Sequence, residues 1–273
     1  MTSFDLPAGL RVVSLAERPD LEDAIDRHNG AVWPEFMLHD PVAGRLWELL
    51  HGPFAAWQRM LLDPDDRIVA ALNSAPLWWD GTDADLPAGW DDQFERSAAD
   101  LADGRAPSTL GAIQIVVAPQ EQGKGLAAVT LGVMRAIAVE GGLTSLIACV
   151  RPTHKDRYPL MPIADYAAWR RPDGLPFDPW LRVHARAGGR IARASPESMT
   201  IRGSISKWQE WAGMEFPLSG QYVVPFAAAT VAVDVARDVA TYHDPNVWMV
   251  HDLADRAILG AAERWQSGRM RRS

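Results

Sequence analysis

One cysteine, Cys149, is all the chain offers toward a disulfide, which excludes an intramolecular bridge and points to a reducing compartment, the cytoplasm. Long apolar runs are missing too. Nothing approaches the roughly 18 residues of a membrane helix, so no membrane partner is expected. The opening residues MTSFDLPAGL lack the basic-then-apolar order of a secretory signal. Basic residues are in deficit, 27 Lys and Arg against 35 Asp and Glu, for a net charge of −8. A nucleic-acid scaffold is unfavourable on that ground, because phosphate backbones need a broad basic surface. There is no internal repeat, no low-complexity tract and no serine in a Gly-x-Ser-x-Gly elbow. His28, His39 and His51 are irregularly spaced with no Cys or carboxylate cluster to complete a site, so no metal is expected. What the chain has in plenty is tryptophan, 12 residues in 273. Such rings fill cores and also line pockets. With 48% hydrophobic and 23% charged residues, the composition is that of an ordinary globular protein.

The pattern along the chain alternates strands and helices. Residues 10–15 read as a short strand and 21–28 as a helix, with Asp20 as its N-cap and Asn29-Gly30 as its stop. A Trp- and His-rich stretch follows at 33–40, then an amphipathic piece at 42–50. Segments 57–62 and 67–74 flank Asp63-Pro64-Asp65-Asp66 and read as a hairpin. Residues 78–90, dense in Asp, Gly and Pro, read as a loop, and 91–101 as a helix closed by Gly104. The strongest strand spans 109–117. A glycine-bearing loop leads from it into 126–140, which is apolar on nearly every face and predicts a buried helix ended by Gly141-Gly142. A second buried strand is expected at 145–150, completing a βαβ-like unit. Residues 151–179 are proline-rich and irregular, and 180–187 read as a short helix ended by Gly188-Gly189. Further strands are expected at 198–202, 221–225 and 230–234, with a Trp-bearing piece at 206–212. Residues 264–273, with four arginines, read as a flexible tail.

The loop between the best strand and the best helix carries the chemistry. In Gln122-Gly123-Lys124-Gly125-Leu126-Ala127, glycines let backbone N–H groups converge, and the helix N-terminus adds partial positive charge. This is an anion cradle suited to a phosphate or pyrophosphate. A Walker loop is excluded, since Lys124 is followed by Gly125 and no hydroxyl lies nearby. A dinucleotide fingerprint fits nominally as Gly123-x-Gly125-x-x-Ala128. However, five residues separate Val117 from Gly123, and the strand at 145–150 ends without the expected acidic residue. A third pattern fits better. The run Val116-Val117-Ala118-Pro119-Gln120-Glu121-Gln122-Gly123-Lys124-Gly125-Leu126-Ala127 resembles the strand, proline and Gln/Arg-x-x-Gly-x-Gly/Ala loop of the GNAT superfamily of acyl-CoA-dependent N-acyltransferases. About 12 residues carry this motif, while the order of elements agrees from Leu10 to about Tyr222.

The resemblance implies an α/β (α+β) fold. A mixed, mostly antiparallel central sheet would be flanked by helices, with an irregular insert and a C-terminal strand extension. Residues 1–273 would form a single domain with 151–179 as the insert. It also implies an acetyl-CoA or other acyl-CoA donor. Its pyrophosphate would lie on Gln122, Gly123, Lys124, Gly125, Leu126 and Ala127, and its pantetheine arm along a splayed strand edge at Val116 and Val117. In many members a tyrosine four residues before the helix-ending glycine protonates the leaving thiolate; here that position is His184, and histidine can serve near neutral pH. The asparagine often found near the end of the second strand is replaced by Arg151-Pro152-Thr153. Lys155, Arg157, Arg170 and Arg171 are candidates for a 3′-phosphate or a carrier's phosphopantetheine.

The motif strand offers no carboxylate base, only Gln114. Glu35, His39 and Asp40 are therefore the candidates for deprotonating the acceptor. Trp33, Asn73, Trp78, Trp79 and Tyr158, together with Trp169 and Trp180, are candidates for the acceptor pocket. Cys149, inside an apolar strand, reads as core. The expected activity is direct transfer of an acetyl or other short acyl group to a small-molecule amine, with the carbonyl polarised by a strand-edge N–H near Val117. A non-catalytic acyl-CoA sensor and an acyltransferase fed by an acyl carrier protein are the alternatives. The assembly is expected to be a monomer or homodimer.

Overall fold

β-branched residues along 109–117 and the unbroken apolar run through 126–140 dictate a strand and a buried helix. The computed structural model, which describes residues 6–253, builds the protein around that pair. In chain order the strands are β1 (Arg11–Ser14), β2 (Arg59–Leu62), β3 (Ile68–Leu77), β4 (Thr109–Val117), β5 (Ser145–Val150), β6 (Arg190–Gly203), β7 (Gly220–Tyr222), β8 (Val231–Asp234) and β9 (Val239–Asp252). The helices are α1 (Glu22–Gly30), α2 (Pro41–Leu46), α3 (Glu48–His51), α4 (Trp90–Ala102), α5 (Leu126–Glu140), α6 (Ile163–Ala168), α7 (Pro179–Arg186) and α8 (Ile205–Ala212).

One sheet runs β1-β2-β3-β4-β5-β9-β8-β7, with β6 also paired to β9. Every pairing is antiparallel except β4 with β5. This is the mixed, mostly antiparallel sheet flanked by helices that the motif implies. Leu126, Leu131, Met134 and Ile137 of α5 pack on one face of it with Leu72 and Leu146. On the other face Phe94 of α4 and Trp208 of α8 join Ile113, Ile147, Tyr242 and Trp248. Apolar burial on both faces explains why β5 reads as a continuous apolar run. No helix among the described residues is long and apolar enough to cross a membrane.

Several expectations shift. Asp20 lies in a 3₁₀ turn, Pro19–Leu21, and Leu21 takes the N-cap position of α1 with no side-chain bond. The piece at 42–50 breaks into α2 and α3 at Trp47. Residues 151–179 hold α6, and of the segment at 221–225 only Gln221 and Tyr222 pair as a strand, within β7. The strand expected at 198–202 is the end of the much longer β6. The largest addition is β9, which joins β5, β6 and β8. Its Pro245 has no N–H to give a ladder, and the partner strand yields there. Ser195 faces Asn246 and Met199 faces Asp244, so residues 196–198 bulge opposite the proline. The tail at 264–273 lies outside the described residues.

Candidate active site

β4 and β5 pair in parallel at only three positions, Leu110 with Leu146, Gly111 with Ile147 and Ala112 with Ala148. Just beyond, β4 carries a bulge. Asn73 faces Gln114 while Ser74 faces Ala112, which leaves Ile113 as the extra residue. Helix α4 catches the carbonyls at this irregularity: Gln93 Nε2 donates to Ala112 O at 3.0 Å and Trp90 Nε1 to Ile113 O at 2.7 Å. Gly111 makes the approach possible, since a Cβ there would stand 2.8 Å from Gln93 Nε2. The two strands therefore part, and a cavity of about 420 Å³ opens between residues 113–115 and 149–151.

The glycine loop closes the far end of the β4–α5 unit. After the turn Pro119–Glu121, Gly123 (φ +79°) and Gly125 (φ +83°) take left-handed conformations that favour glycine, and Gly125 forms the N-cap of α5. Among the described residues the amides from Gly123 to Ala127 have no acceptor within the protein. A Cβ at Gly123 or Gly125 would meet nothing within 4 Å. Open space in front of converging N–H groups at a helix N-terminus fits a pyrophosphate. Lys124 pairs with Glu121 at 3.0 Å on the surface, and Gln122 Nε2 donates to Val117 O at 3.3 Å. On the splayed edge, Val116 O faces His28 Nε2 at 3.2 Å. Leu131, on the second turn of α5, already belongs to the cavity wall.

The other end of the cavity is polar and is built from segments distant in sequence. Trp33, Trp47 and Trp90 supply aromatic walls, with Asp26, Asn29, Gln114, Arg151, Asp244 and Asn246 between them. Asp244 is fully buried and fully engaged. Arg151 Nε donates to its Oδ1 at 2.8 Å and Tyr242 OH at 2.5 Å, while Asn246, with its amide oriented to satisfy its neighbours, donates to Oδ2 at 3.0 Å. Arg151 also donates to Phe226 O at 2.8 Å and lies over the Trp33 ring. Asp26 is different. Its side chain is 42% exposed and Oδ1 accepts from Trp47 Nε1 at 3.0 Å, with His51 Nε2 at 3.1 Å from the same oxygen. Asn29 donates to Asn73 Oδ1 at 2.9 Å, and Asn73 to Gln58 Oε1 at 3.2 Å, a buried amide chain that braces α1 on β3.

His184 lines the same cavity beside Trp180 and is 2% exposed. Its Nδ1 lies 2.9 Å from Nε2 of His251, while its Nε2 has no hydrogen-bond partner among the described residues. Burial, and then the neighbouring His251, hold its pKa well below the ordinary histidine value. The ring is thus neutral at physiological pH, which revises the expectation of a histidine that is readily protonated there. A neutral imidazole can still donate one N–H bond.

The remaining sequence candidates separate. Trp33 and Trp180 reach the cavity, and Asn73 supports it through Asn29. Glu35 and His39 do not line it; they pair with each other at 3.0 Å on the surface, and His39 stacks on Trp211. Asp40 caps α2 through Val42 N and Ala43 N and faces Asp91, away from the cavity lining. Trp78 stacks under Arg105, Trp79 is core with its Nε1 on Thr82 O, and Tyr158 joins Tyr166, Trp169 and Phe177 in a separate aromatic cluster. Lys155 is buried on the carbonyls of Tyr158 and Ala228, while the exposed Arg170 donates to those of Ala167 and Trp169. Cys149 is buried, with its thiol pushed up to about 12 by burial, as a core residue requires. Asp26, Trp47, Asp244 and Asn246 had no local sequence signal. They become neighbours only through α1, the α2–α3 junction and β9.

No protein-family model matches the chain. A curated relative does: the chain is 31% identical over 281 residues to the arginine N-acetyltransferase avaD of Aspergillus versicolor, covering 92% of this chain and 96% of that protein. Among solved structures, the loading GNATL domain of CurA from Lyngbya majuscula superposes with a TM-score of 0.55 at 17% identity, over 89% of this chain and 96% of that one. The GphF GNAT-like decarboxylase in complex with isobutyryl-CoA gives 0.53 at 20% identity, over 89% and 98%. These two likenesses concern the fold.

Proposed function

The chain belongs to the GNAT superfamily of acyl-CoA-dependent N-acyltransferases, and we propose that it acetylates a small cationic amine of the arginine class. The observation that carries this reading is the single cavity that runs from the parted strands β4 and β5 to an end holding Trp33, Trp47 and the half-exposed Asp26. Flat indole walls and a carboxylate suit a guanidinium or ammonium group, through cation–π contact and charge-assisted hydrogen bonds. The identity shared with an arginine N-acetyltransferase supports the same acceptor chemistry.

The donor thioester supplies an activated acyl group, and the residues divide the remaining work. Amides of Gly123 to Ala127 hold the pyrophosphate. The parted edges of β4 and β5 give the pantetheine arm its channel, and backbone N–H groups there face the charge that develops on the carbonyl oxygen. Asp26 anchors the acceptor's cation through Oδ2, since Trp47 and His51 both meet Oδ1. His184, with its unpartnered Nε2 on the wall, donates a hydrogen bond to the departing sulfur, which leaves as the thiolate while the proton lost by the attacking amine passes to solvent.

Purified protein incubated with acetyl-CoA and a panel of arginine, agmatine, lysine and uncharged amines tests the proposal. Release of free thiol with arginine or agmatine, and an acetylated product of matching mass, is the expected outcome. Tight acetyl-CoA binding with no thiol release across the panel would leave a binding protein without chemistry. Transfer from a loaded carrier alone would replace free acetyl-CoA as the donor.

A further inference from the structure

Two buried histidines in contact can be arranged in only a few ways. When both rings are neutral, the 2.9 Å approach of His184 Nδ1 to His251 Nε2 needs one N–H and one lone pair. If His251 donates, its Nδ1 keeps a lone pair and the proton of His184 sits on Nε2, at the cavity wall. If His184 donates, its Nε2 presents only a lone pair there and can give nothing to a leaving sulfur.

The surroundings of His251 discriminate between the two. His251 is 1% exposed and its Nδ1 has no hydrogen-bond partner among the described residues. The cation of Arg135, a buried residue on α5, acts on this ring; burial first and then Arg135 bring the His251 pKa down to about 3. His251 does not line the cavity, so an N–H on its Nδ1 would be a buried donor without a partner, whereas an N–H on His184 Nε2 faces the cavity; the first arrangement is therefore favoured. The contact also has a built seat. A Cβ at Gly189 would stand 2.5 Å from His251 Cε1 and 2.7 Å from Nε2, so glycine lets the turn that leads into β6 pass the ring in this position. Trp180 meets His184 edge-on from the other side, with ring centroids 4.6 Å apart.

We propose that His251 is a positioning residue that holds His184 in the tautomer whose Nε2 bears the proton facing the cavity. The inference rests on the reading that His184 faces the leaving sulfur, and it extends the site to a residue on β9. The contact of His251 with His184 lets a neutral histidine act as a hydrogen-bond donor at the cavity wall.

Nitrogen-15 NMR of the intact, ligand-free protein reads the tautomers without any variant. The expected spectrum shows a protonated Nε2 and an unprotonated Nδ1 on His184, and the reverse would overturn the proposal. Kinetics supply a second test. His251→Leu removes the donor and should lower kcat about tenfold or more with KM for acetyl-CoA within about twofold, whereas His251→Gln restores an N–H donor and should recover most of kcat. In the His184→Phe background, His251→Leu should cost nothing further. Equal losses in the Leu and Gln variants, or full additivity in the double variant, would mean that His251 is merely packed there. If His184→Phe alone left turnover intact, the assignment of His184 to the sulfur would fail, while the NMR result would still judge the tautomer.

Discussion

The two ends of the cavity are made in different ways. The donor end is backbone: a bulged strand, a loop with two left-handed glycines and the first turn of α5, all within residues 109–131. The acceptor end is side chain, and it gathers Asp26, Trp47, Gln114, Arg151 and Asp244 from across more than 200 residues of sequence. Backbone sites bind what every member of a family shares, because N–H groups at a helix end recognise any phosphate. Side-chain sites can change partner by partner while the sheet beneath them stays fixed.

The sharpest way to break this division is at the donor end. Gly125→Val places a β-branched residue at φ +83° and fills the open cradle, so acetyl-CoA affinity should fall on the order of 100-fold by calorimetry. The thermal transition should stay cooperative, because a Cβ at this position meets no protein atom within 4 Å. Unchanged affinity would move the pyrophosphate elsewhere.

Asp26→Asn addresses the other end. It should raise the acceptor KM about tenfold and leave acetyl-CoA affinity within about twofold. A loss of donor binding in this variant would show that the two ends are not separate.

A smaller effect concerns the support beneath the acceptor end. Asp91 carries a pKa raised to about 8, chiefly by burial and then by its neighbour Asp40, which also titrates high because of its own burial. An acid raised in the folded state gives stability that is present below its unfolded value near 4 and is lost as pH climbs through about 8. The melting temperature should therefore fall between about pH 4 and 8, and Asp91→Asn should flatten that fall by about 2–4 °C per kcal/mol relieved. An identical slope in the variant would remove the pair from the account.

The same division explains what could be read from sequence. β4, α5 and β5 have the bounds their residues announce, because local pattern and tertiary burial agree there. The glycine loop was legible for the same reason, since its chemistry lies in consecutive residues. β9 gave no signal. Tyr242, His243, Asp244, Pro245 and Asn246 spoil both alternation and apolar continuity, yet the strand is buried on both faces from Asp244 to His251. Its polar residues are tolerated because Arg151, Tyr242 and Ser198 satisfy them, and such partners cannot be read from spacing. Missing β9 meant missing Asp244, Asn246 and His251 together. The tryptophans divide similarly: Trp208 and Trp248 are fully buried core, while Trp33, Trp47, Trp90 and Trp180 line the cavity. Trp78 and Trp79 lie in the loop expected to wall the acceptor, but Asp100 and Ser108 tie their backbone on the α4 side instead.

A crystal structure of the protein with coenzyme A and arginine tests the central claim most directly. The account predicts the pyrophosphate on the amides of Gly123 to Ala127, the pantetheine arm between the edges that part after Ala112 and Ala148, and the acceptor's cation on Asp26 between Trp33 and Trp47. Coenzyme density outside that cleft, or an acceptor held away from Asp26, would contradict it.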